Sequence, residues 1–267
     1  MSPLTQRISR WLYAKNTHPY RIYDAEIAGR LTPATVVLDA GCGRSPGIAT
    51  LVRSHAVKMA IGIDSVVTFP QSPNCHIIRG NLTKLPLNAG TVDLVITRSV
   101  MEHLEQPEEV YREFHRVLRA GGSCIMLTPN LWDYASIGAS VIPNRFHPWL
   151  VARMEGREEA DTFPTFYRAN SLRTIRRLAS LSGFDVETER CLGQYPSYFQ
   201  FNAALFLLAS AYEKLVSRFE VLRQLRGWLF IVLHKPVAKS GVKDSNGAHP
   251  DSLLQRPDCE RVTAGGG

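Results

Sequence analysis

Two aspartates follow apolar segments in the first quarter of the chain, and each lies where a ligand could be held. Asp39 comes after the aliphatic residues Val36–Leu38 and before Gly41 and Gly43. Glycines in such a turn accept torsions that a side chain forbids, and they let the backbone approach a ligand. A carboxylate before the glycines would repel a pyrophosphate but attract the ammonium of an amino acid. This context favours a ligand role for Asp39 over a helix-capping role.

The second aspartate indicates adenosine. Asp64 ends the apolar segment Met59–Ile63 and is followed by Ser65. A carboxylate at the end of a second strand can accept hydrogen bonds from both hydroxyls of a ribose. Asn81 and Leu82 follow a third apolar segment, where an amide can pair with an adenine edge while a leucine packs on the ring. Asn81 has an equally good structural explanation, because asparagine is common in turns after strands.

A fourth polar segment, Arg98–Leu104, follows the apolar residues Val92–Ile96. Ser99 and Glu102 have capping-box spacing, which predicts that the strand turns directly into a short helix. His103 would then lie near the ligand crevice, where it could bind substrate or act as a general base. A turn histidine that bonds a backbone carbonyl is the structural alternative.

The elements that must position these residues alternate between strand and helix. Short, mostly apolar runs are typical of strands buried on both faces of a parallel sheet, and the alternation predicts a Rossmann-like α/β fold with helices on both faces. Its ligand crevice should lie at the carboxyl ends of the strands. Strands are predicted at Val36–Leu38, Met59–Ile63, His76–Ile78, Val92–Ile96, Cys124–Leu127, Phe184–Glu189 and Leu229–Leu233. Helices are predicted at Ile48–Ser54, at Pro107–Leu118 with Gly121 and Gly122 as its stop, at Ser171–Ser182 and at Phe201–Val216.

The chain divides into five predicted parts. Residues 1–30 form an N-terminal helical segment, and residues 31–128 form the ligand-binding Rossmann-like core. Residues 129–168 are rich in proline, aromatic residues and arginine, and they are predicted to cover the site because so long a connection is seldom neutral. Residues 169–235 complete the sheet. Residues 236–267, dominated by glycine, serine, aspartate and proline, are predicted to be a disordered tail.

Taken together, these motifs resemble those of the class I S-adenosylmethionine (SAM) dependent methyltransferases, in particular the small-molecule group with a DxGCG first motif and EHL after the fourth strand. The resemblance runs from Val36 to Pro129; the order of the four motifs is specific, although each motif alone is not. It implies a seven-stranded, mostly parallel sheet whose last strand is antiparallel. It also implies SAM as the cofactor, with Asp39, Gly41 and Gly43 at its methionine part, Asp64 at the ribose, and Asn81 and Leu82 at the adenine. Ser65 is a further cofactor-binding residue, and Arg98 and Ser99 lie beside the cofactor mainly through backbone.

Two positions depart from the family pattern. Ser45 replaces the third glycine of the first motif, with Gly47 two residues later, and Asn81 replaces the usual acidic contact to adenine. Serine can enter a tight turn, and an amide oxygen can accept from the adenine amino group, although without a charge-assisted bond. We therefore expect a lower affinity for SAM than is usual in the family.

Composition excludes several classes. The 267 residues are 45% hydrophobic and 21% charged, as in an ordinary globular protein, and the net charge of +7 is not concentrated in any basic run, so no nucleic acid is expected as a partner. The five cysteines are scattered and lack CxxC spacing, which predicts reduced thiols in a cytoplasmic protein and no metal site. The first 15 residues contain no uninterrupted apolar region, so a secretory signal is not expected.

The preferred hypothesis is transfer of the SAM methyl group to a small or lipid-like acceptor. The sulfonium is already activated, so the protein chiefly has to align the reacting groups and exclude water. An oxygen acceptor, the favoured kind, would need a base, for which His103 and His147 are candidates. The alternatives are an NAD(P)-dependent oxidoreductase, which gives no role to Asp39, and a catalytically silent methyltransferase-like scaffold.

Two further features concern the acceptor. The basic residues between Arg145 and Arg177 form either a solvated face or a site for an anionic substrate or headgroup. The segment Phe199–Ala209 is more apolar than a surface helix needs but too short to span a bilayer. We favour a core helix; the alternative is a helix that docks peripherally on an anionic membrane and delivers a lipid-linked or quinone-like acceptor, aided by Lys214, Arg218, Arg223 and Arg226. The oligomeric state stays open.

Overall fold

The computed structural model describes residues 3–13, 18–43, 54–66, 74–134, 136–137 and 163–237. Over these ranges the chain forms five α-helices: α1 (Pro3–Leu12), α2 (Pro19–Arg30), α3 (Pro107–Val117), α4 (Leu172–Leu181) and α5 (Ala203–Arg218). The strands are β1 (Val36–Ala40), β2 (Met59–Asp64), β3 (Cys75–Arg79), β4 (Val92–Arg98), β5 (Leu118–Pro129), β6 (Asp185–Leu192) and β7 (Trp228–His234). Short 3₁₀ helices occupy Met101–His103, Ser197–Phe199 and Glu220–Leu225.

The strands form one seven-stranded sheet in the order β3-β2-β1-β4-β5-β7-β6. Strand β7 is antiparallel to both β5 and β6, and the pairs among β1 to β5 are parallel. The Rossmann-like α/β fold and the antiparallel last strand are therefore confirmed. The strand order reverses between β1 and β4, and ligands of such sheets bind at the carboxyl edge beside this reversal.

Helices cover both faces of the sheet, and β1 is clamped between them. Leu38 points to the face where Phe114 of α3 and Ile175 of α4 pack. Its neighbour Val37 points to the opposite face, where it joins Ile27 of α2. All five side chains are at most 1% exposed. Because β1 is fixed from both sides, the residue at its carboxyl end, Asp39, has a well-defined position.

Helix ends follow local capping chemistry. The side chain of Ser171 accepts from Thr174 N at the start of α4, and that of Asn202 accepts from Ala204 N at the start of α5. These contacts satisfy backbone donors that a helix leaves unpaired. The two predicted helices at these places are confirmed, with ends shifted by one or two residues.

One predicted helix end is wrong. Helix α3 stops at Val117, and β5 begins at the next residue, so Gly121 and Gly122 lie inside the strand. Lys235 Nζ donates to the carbonyls of His115 and Leu118 and so satisfies the end of the helix without a glycine. Gly121, with a φ of +82°, instead serves the irregular start of β5, where the register against β4 shifts.

The predicted helix at Ile48–Ser54 except for its last residue, the tail except for its first two residues, and most of the predicted cover lie outside the described residues. Among the helices that are described, none is long and apolar enough to cross a bilayer.

Candidate functional site

The carboxyl ends of β1 to β4 open into a cavity of about 840 Å³. That volume falls within the range of small-molecule and cofactor sites. Its walls contain every residue that the sequence predicts at the ligand: Asp39, Gly41, Gly43, Asp64, Ser65, Asn81, Leu82, Arg98, Ser99 and His103. The structure thus brings all ten together, while their individual contacts with a ligand remain predictions.

The turn after β1 contains two glycines, Gly41 and Gly43, and glycine is required at each position for a different physical reason. Gly41 has a φ of +80°, and a Cβ there would lie 2.3 Å from Val100 Cγ2, so packing and torsion both demand glycine. Gly43 has a φ of +63°, but a Cβ there would meet no described atom within 4 Å. The turn therefore presents bare backbone to the open cavity at Gly43. This is a cradle that a ligand can approach closely.

Asp64 is oriented by the backbone around it. Its Oδ2 accepts from Gly43 N at 2.8 Å, and its Oδ1 accepts from Val66 N at 2.9 Å. The longer bond from Ser65 Oγ, at 3.3 Å, can yield to another donor because a hydroxyl rotates freely. The carboxylate joins the end of β2 to the glycine turn and keeps acceptor capacity for ribose hydroxyls.

Asp39 makes this end of the cavity electronegative. Its side chain lies at the wall of the cavity, and the residue is only 9% exposed. Burial, followed by the charges of Asp39 and Asp64, raises the pKa of the Cys42 thiol to about 12. Burial and then Asp39 likewise hold the pKa of Tyr23 well above its usual value. Because Cys42 and Tyr23 stay neutral, the carboxylates of Asp39 and Asp64 supply the negative charge at this end of the cavity, where a cationic ligand group could bind.

Asn81 and Arg98 are held by their own neighbours. Asn81 Oδ1 accepts from Thr83 N at 3.0 Å, so the turn explanation for this asparagine is realised alongside its place in the cavity wall. The guanidinium of Arg98 lies 4.6 Å from the ring centroid of Tyr20 and 4.0 Å from a carboxylate oxygen of Asp24. Its side chain therefore ties α2 to the end of β4, which agrees with a mainly backbone role at the ligand.

The predicted capping box is wrong. Ser99 adopts a φ of +55° and donates its N–H to Leu127 O, so it cannot begin a regular helix. The turn that follows is a 3₁₀ helix preceded by Val100, with no side-chain cap. Glu102 Oε2 accepts instead from Thr128 Oγ1 at 3.1 Å. A contact with β5, distant in sequence, has overridden the local capping pattern.

His103 lies in the cavity wall with a defined ring orientation. Its Nδ1 is 2.9 Å from Pro164 O, and since a carbonyl only accepts, Nδ1 carries the proton in the neutral ring. Nε2 then holds the lone pair. Nε2 is 4.0 Å from Glu102 Oε1, a buried carboxyl whose pKa is raised by burial, an effect that His103 and hydrogen bonds oppose. The second candidate base, His147, lies outside the described residues.

Sequence reasoning missed several residues of the cavity. Tyr23 and Asp24 come from α2, while Phe163 and Phe166 come from the end of the predicted cover. The ring centroid of Phe163 lies 5.9 Å from that of His103. These residues are remote in sequence from the motifs, and only the length of the cover indicated that part of it reaches the site.

Metal binding has no support over the described ranges, which hold no group of three or more His, Cys, Asp or Glu residues able to bind an ion. Cys42, Cys75, Cys124 and Cys191 are buried free thiols.

Fold and site together define a Rossmann-like domain whose cavity combines a glycine turn with carboxylates at the ends of β1 and β2. Residues 38–126 match the family model described as a methyltransferase domain. The chain is 38% identical over 146 residues to a probable S-adenosylmethionine-dependent methyltransferase of Mycolicibacterium smegmatis, covering 50% of this chain and 56% of that protein. It is 30% identical over 115 residues to the malonyl-[acyl-carrier protein] O-methyltransferase of Herminiimonas arsenicoxydans, covering 40% of this chain and 44% of that protein.

Among solved structures, geranyl diphosphate C-methyltransferase of Streptomyces coelicolor A3(2) has a similar fold, with a TM-score of 0.53, 14% identity and coverage of 88% of this chain and 99% of that one. The chain spans about half the length of the two curated relatives. Residues 38–126 therefore carry a methyltransferase domain, which agrees with the predicted class I SAM-dependent family and with SAM as the cofactor, whereas no reported match supports the oxidoreductase alternative.

Proposed function

We propose that this chain transfers the methyl group of SAM to an oxygen atom of a small or lipid-like acceptor, with His103 as the general base. The observation that carries the proposal is the position of His103: it lines the same cavity as Asp39 and Asp64, and its Nδ1 is held by Pro164 O. The fixed Nδ1 proton leaves Nε2 as the nitrogen that can accept a proton.

The residues present fit SAM. The buried carboxylate of Asp39 suits the ammonium of the methionine part, Asp64 suits the ribose hydroxyls, and the bare backbone at Gly43 allows close approach. SAM, when bound, supplies a methyl group that its sulfonium has already activated. The protein then has to orient the acceptor, exclude water and accept the hydroxyl proton at His103 Nε2.

The wall around His103 favours an acceptor with an apolar or aromatic part. Phe163, Phe166, Leu104 and Val110 contribute to the same cavity. Aromatic faces offer a large apolar contact area, so they can orient a flat or chain-like molecule with its hydroxyl toward the histidine. One relative is named for O-methylation, which agrees with an oxygen acceptor.

The test begins with extracts of small metabolites and lipids, incubated with the purified protein and SAM carrying a labelled methyl group. With the labelled acceptor identified, His103→Ala should lower turnover by about 10²- to 10⁴-fold and leave SAM affinity nearly unchanged. His234→Gln is the matched control, because His234 is the last residue of β7, which runs antiparallel to β5, and so lies away from the carboxyl ends of β1 to β4. Normal turnover of His103→Ala would reduce His103 to a structural residue.

The silent-scaffold alternative makes a different prediction: SAM binds, but no extract yields a labelled product.

The division of the chain into five parts and a cytoplasmic location also stay predictions. The four buried free thiols agree with a reducing environment.

A further inference from the structure

The inward face of helix α5 carries polar as well as apolar side chains, while several of its leucines are exposed. Phe206 and Val216 on this inward face are 0% and 1% exposed. Ser210 and Glu213 on its inward face are 1% and 2% exposed. Leu207, Leu208 and Leu215, by contrast, are 46%, 70% and 51% exposed. A helix on the surface of a globular protein normally places its apolar side chains inward. The expected core helix is therefore present, but with most of its leucines facing outward.

The outward residues form a continuous stripe. Ala204, Leu208, Ala211 and Leu215 follow one another at spacings of four, three and four residues, so they lie on one side of the helix. Phe201, just before the helix, is 66% exposed and extends the stripe at its amino end. The stripe runs the full length of α5.

Helix α1 lies beside α5 and enlarges this surface. Lys214 Nζ of α5 donates to Leu12 O at 2.8 Å, and its ammonium lies 5.1 Å from the ring centroid of Tyr13. Trp11 and Leu4 of α1 are 84% and 57% exposed. We define the α1/α5 face by its exposed apolar and basic residues: Leu4, Arg7, Arg10, Trp11, Phe201, Leu207, Leu208, Leu215 and Arg218.

The charge on these two helices has one sign. The exposed charged residues of α1 and α5 are Arg7, Arg10, Lys214 and Arg218. The one acidic residue in either helix, Glu213, is buried on the inward side of α5. An apolar stripe flanked by basic residues, with an exposed tryptophan, matches helices that lie in the plane of an anionic membrane surface. A second copy of the chain would bring the same positive charges together, which favours lipid over self-association.

We propose that the α1/α5 face docks on the surface of an anionic bilayer. Trp11, Leu208 and Leu215 enter the boundary between headgroups and acyl chains, and Arg7, Arg10 and Arg218 contact lipid phosphates. The proposal does not depend on methyl transfer, since docking can be measured without SAM.

The structure also corrects the set of basic residues expected to take part. Arg226 is only 15% exposed at its side chain and donates to Val216 O at the end of α5. It also pairs with Glu220 at 2.8 Å, and Arg223 lies 3.6 Å from the same carboxylate. Arg226 and Arg223 therefore belong to the fold, and Lys214 holds α1 in place, so of the four expected residues only Arg218 remains a lipid contact.

The test is flotation with vesicles of phosphatidylcholine containing about a quarter phosphatidylglycerol, compared with phosphatidylcholine alone. The full chain should float with the anionic vesicles at low salt and dissociate as salt rises. Replacing Arg7, Arg10 and Arg218 together by Gln should lower the partition coefficient about 100-fold, at about fivefold for each basic residue. Replacing Leu208 and Leu215 by Ser should lower it about tenfold or more.

The matched control replaces three exposed arginines elsewhere, Arg112, Arg173 and Arg190, by Gln. It removes the same charge and should change partitioning by less than about twofold, since these residues lie outside the face. Circular dichroism confirms that each variant is folded. Vesicles with brominated acyl chains add a measure of depth: they should quench tryptophan fluorescence of the native chain more than that of Trp11→Phe, because the bromine quenches only rings that enter the bilayer.

Three outcomes would overturn the proposal. One is failure to float even at low salt. A second is an equal loss of binding in the two arginine triples, which would place the contact elsewhere on the chain. The third is a dimer in light scattering that the Leu208 and Leu215 replacements dissociate while vesicles bind neither form, which would assign the face to a second copy.

Discussion

Glu213 gives the stability of this chain a pH dependence that runs against the usual direction for a carboxylate. The residue is 2% exposed; its Oε2 accepts from Gln194 N at 3.1 Å, and its Oε1 has no hydrogen-bond partner in the described part of the chain. Burial first, and then the charge of Asp133, raise the pKa of Glu213 from 4.5 to about 7, against the opposing bonds from Gln194. Nearby Tyr13 and Tyr134 have pKa values raised by burial, so they stay neutral over the same range.

A raised pKa in the folded state means that folding favours the protonated carboxyl. Its contribution to stability is complete below the unfolded pKa of 4.5 and is lost as the pH rises through about 7. The shift corresponds to about 3 kcal/mol. Glu213→Gln keeps an oxygen to accept from Gln194 N and removes the charge. We therefore expect the free energy of unfolding of Glu213→Gln, relative to that of the native chain, to increase as the pH rises. The increase should reach about 3 kcal/mol above pH 8.

The assay is urea unfolding followed by circular dichroism at several pH values between about 4 and 8.5, which bracket the unfolded and the folded pKa of Glu213. The difference in unfolding free energy between variant and native chain is the quantity of interest, because other titrating groups, such as Glu113 and Glu189 with their lowered pKa values, contribute equally to both. Glu109→Gln, at an exposed position of α3, is the control and should show no such trend. A difference that stays constant with pH, or a native chain that is more stable than Glu213→Gln at pH 8, would refute the reasoning.

Two further predictions concern packing. Gly41→Ala should destabilise the fold by at least about 2 kcal/mol and weaken SAM binding, because the new methyl would lie 2.3 Å from Val100 Cγ2 at a φ of +80°. Thermal unfolding measures the loss of stability, and calorimetry measures the loss of SAM affinity. Gly43→Ala carries only the torsional strain and should lose about 1 kcal/mol of stability, so equal losses in the two variants would contradict the steric argument. Tyr111→Phe should leave the free energy of unfolding unchanged or raise it by about 1 kcal/mol, since the buried hydroxyl lacks a hydrogen-bond partner within the described ranges. If urea unfolding shows that the variant is less stable by more than about 2 kcal/mol, the hydroxyl does make a hydrogen bond and the reasoning is wrong.

Much of the sheet follows from the sequence, because apolar runs without alternation have few alternatives in a chain of this length. The runs at Val36–Leu38 and Val92–Ile96 became β1 and β4, and Asp39 and Arg98 stand at their carboxyl ends as expected. The motif order then predicts which side chains meet at one edge, since parallel strands bring their carboxyl ends together.

The features that the sequence did not predict depend on contacts between residues that are remote in the chain. The predicted capping box is absent because Glu102 accepts a hydrogen bond from Thr128 of β5, a partner that the local spacing of residues does not reveal. The orientation of His103 depends on Pro164 O, some 61 positions away in the chain. Composition alone made α5 look like a core helix; only the tertiary structure shows that Glu213 faces inward and Leu208 outward.

The most direct test of the central claim, that the cavity at the ends of β1 to β4 holds SAM, is titration calorimetry on the native chain and on Asp64→Ala. We predict that the native chain binds SAM and not NADH. Asp64→Ala should lose at least about 100-fold in SAM affinity, because two ribose bonds of about 1.5–3 kcal/mol each disappear, while circular dichroism shows a folded protein. Asp185→Ala, at the exposed start of β6, should bind like the native chain. Unchanged SAM affinity in folded Asp64→Ala, or a native chain that binds NADH in place of SAM, would contradict the assignment.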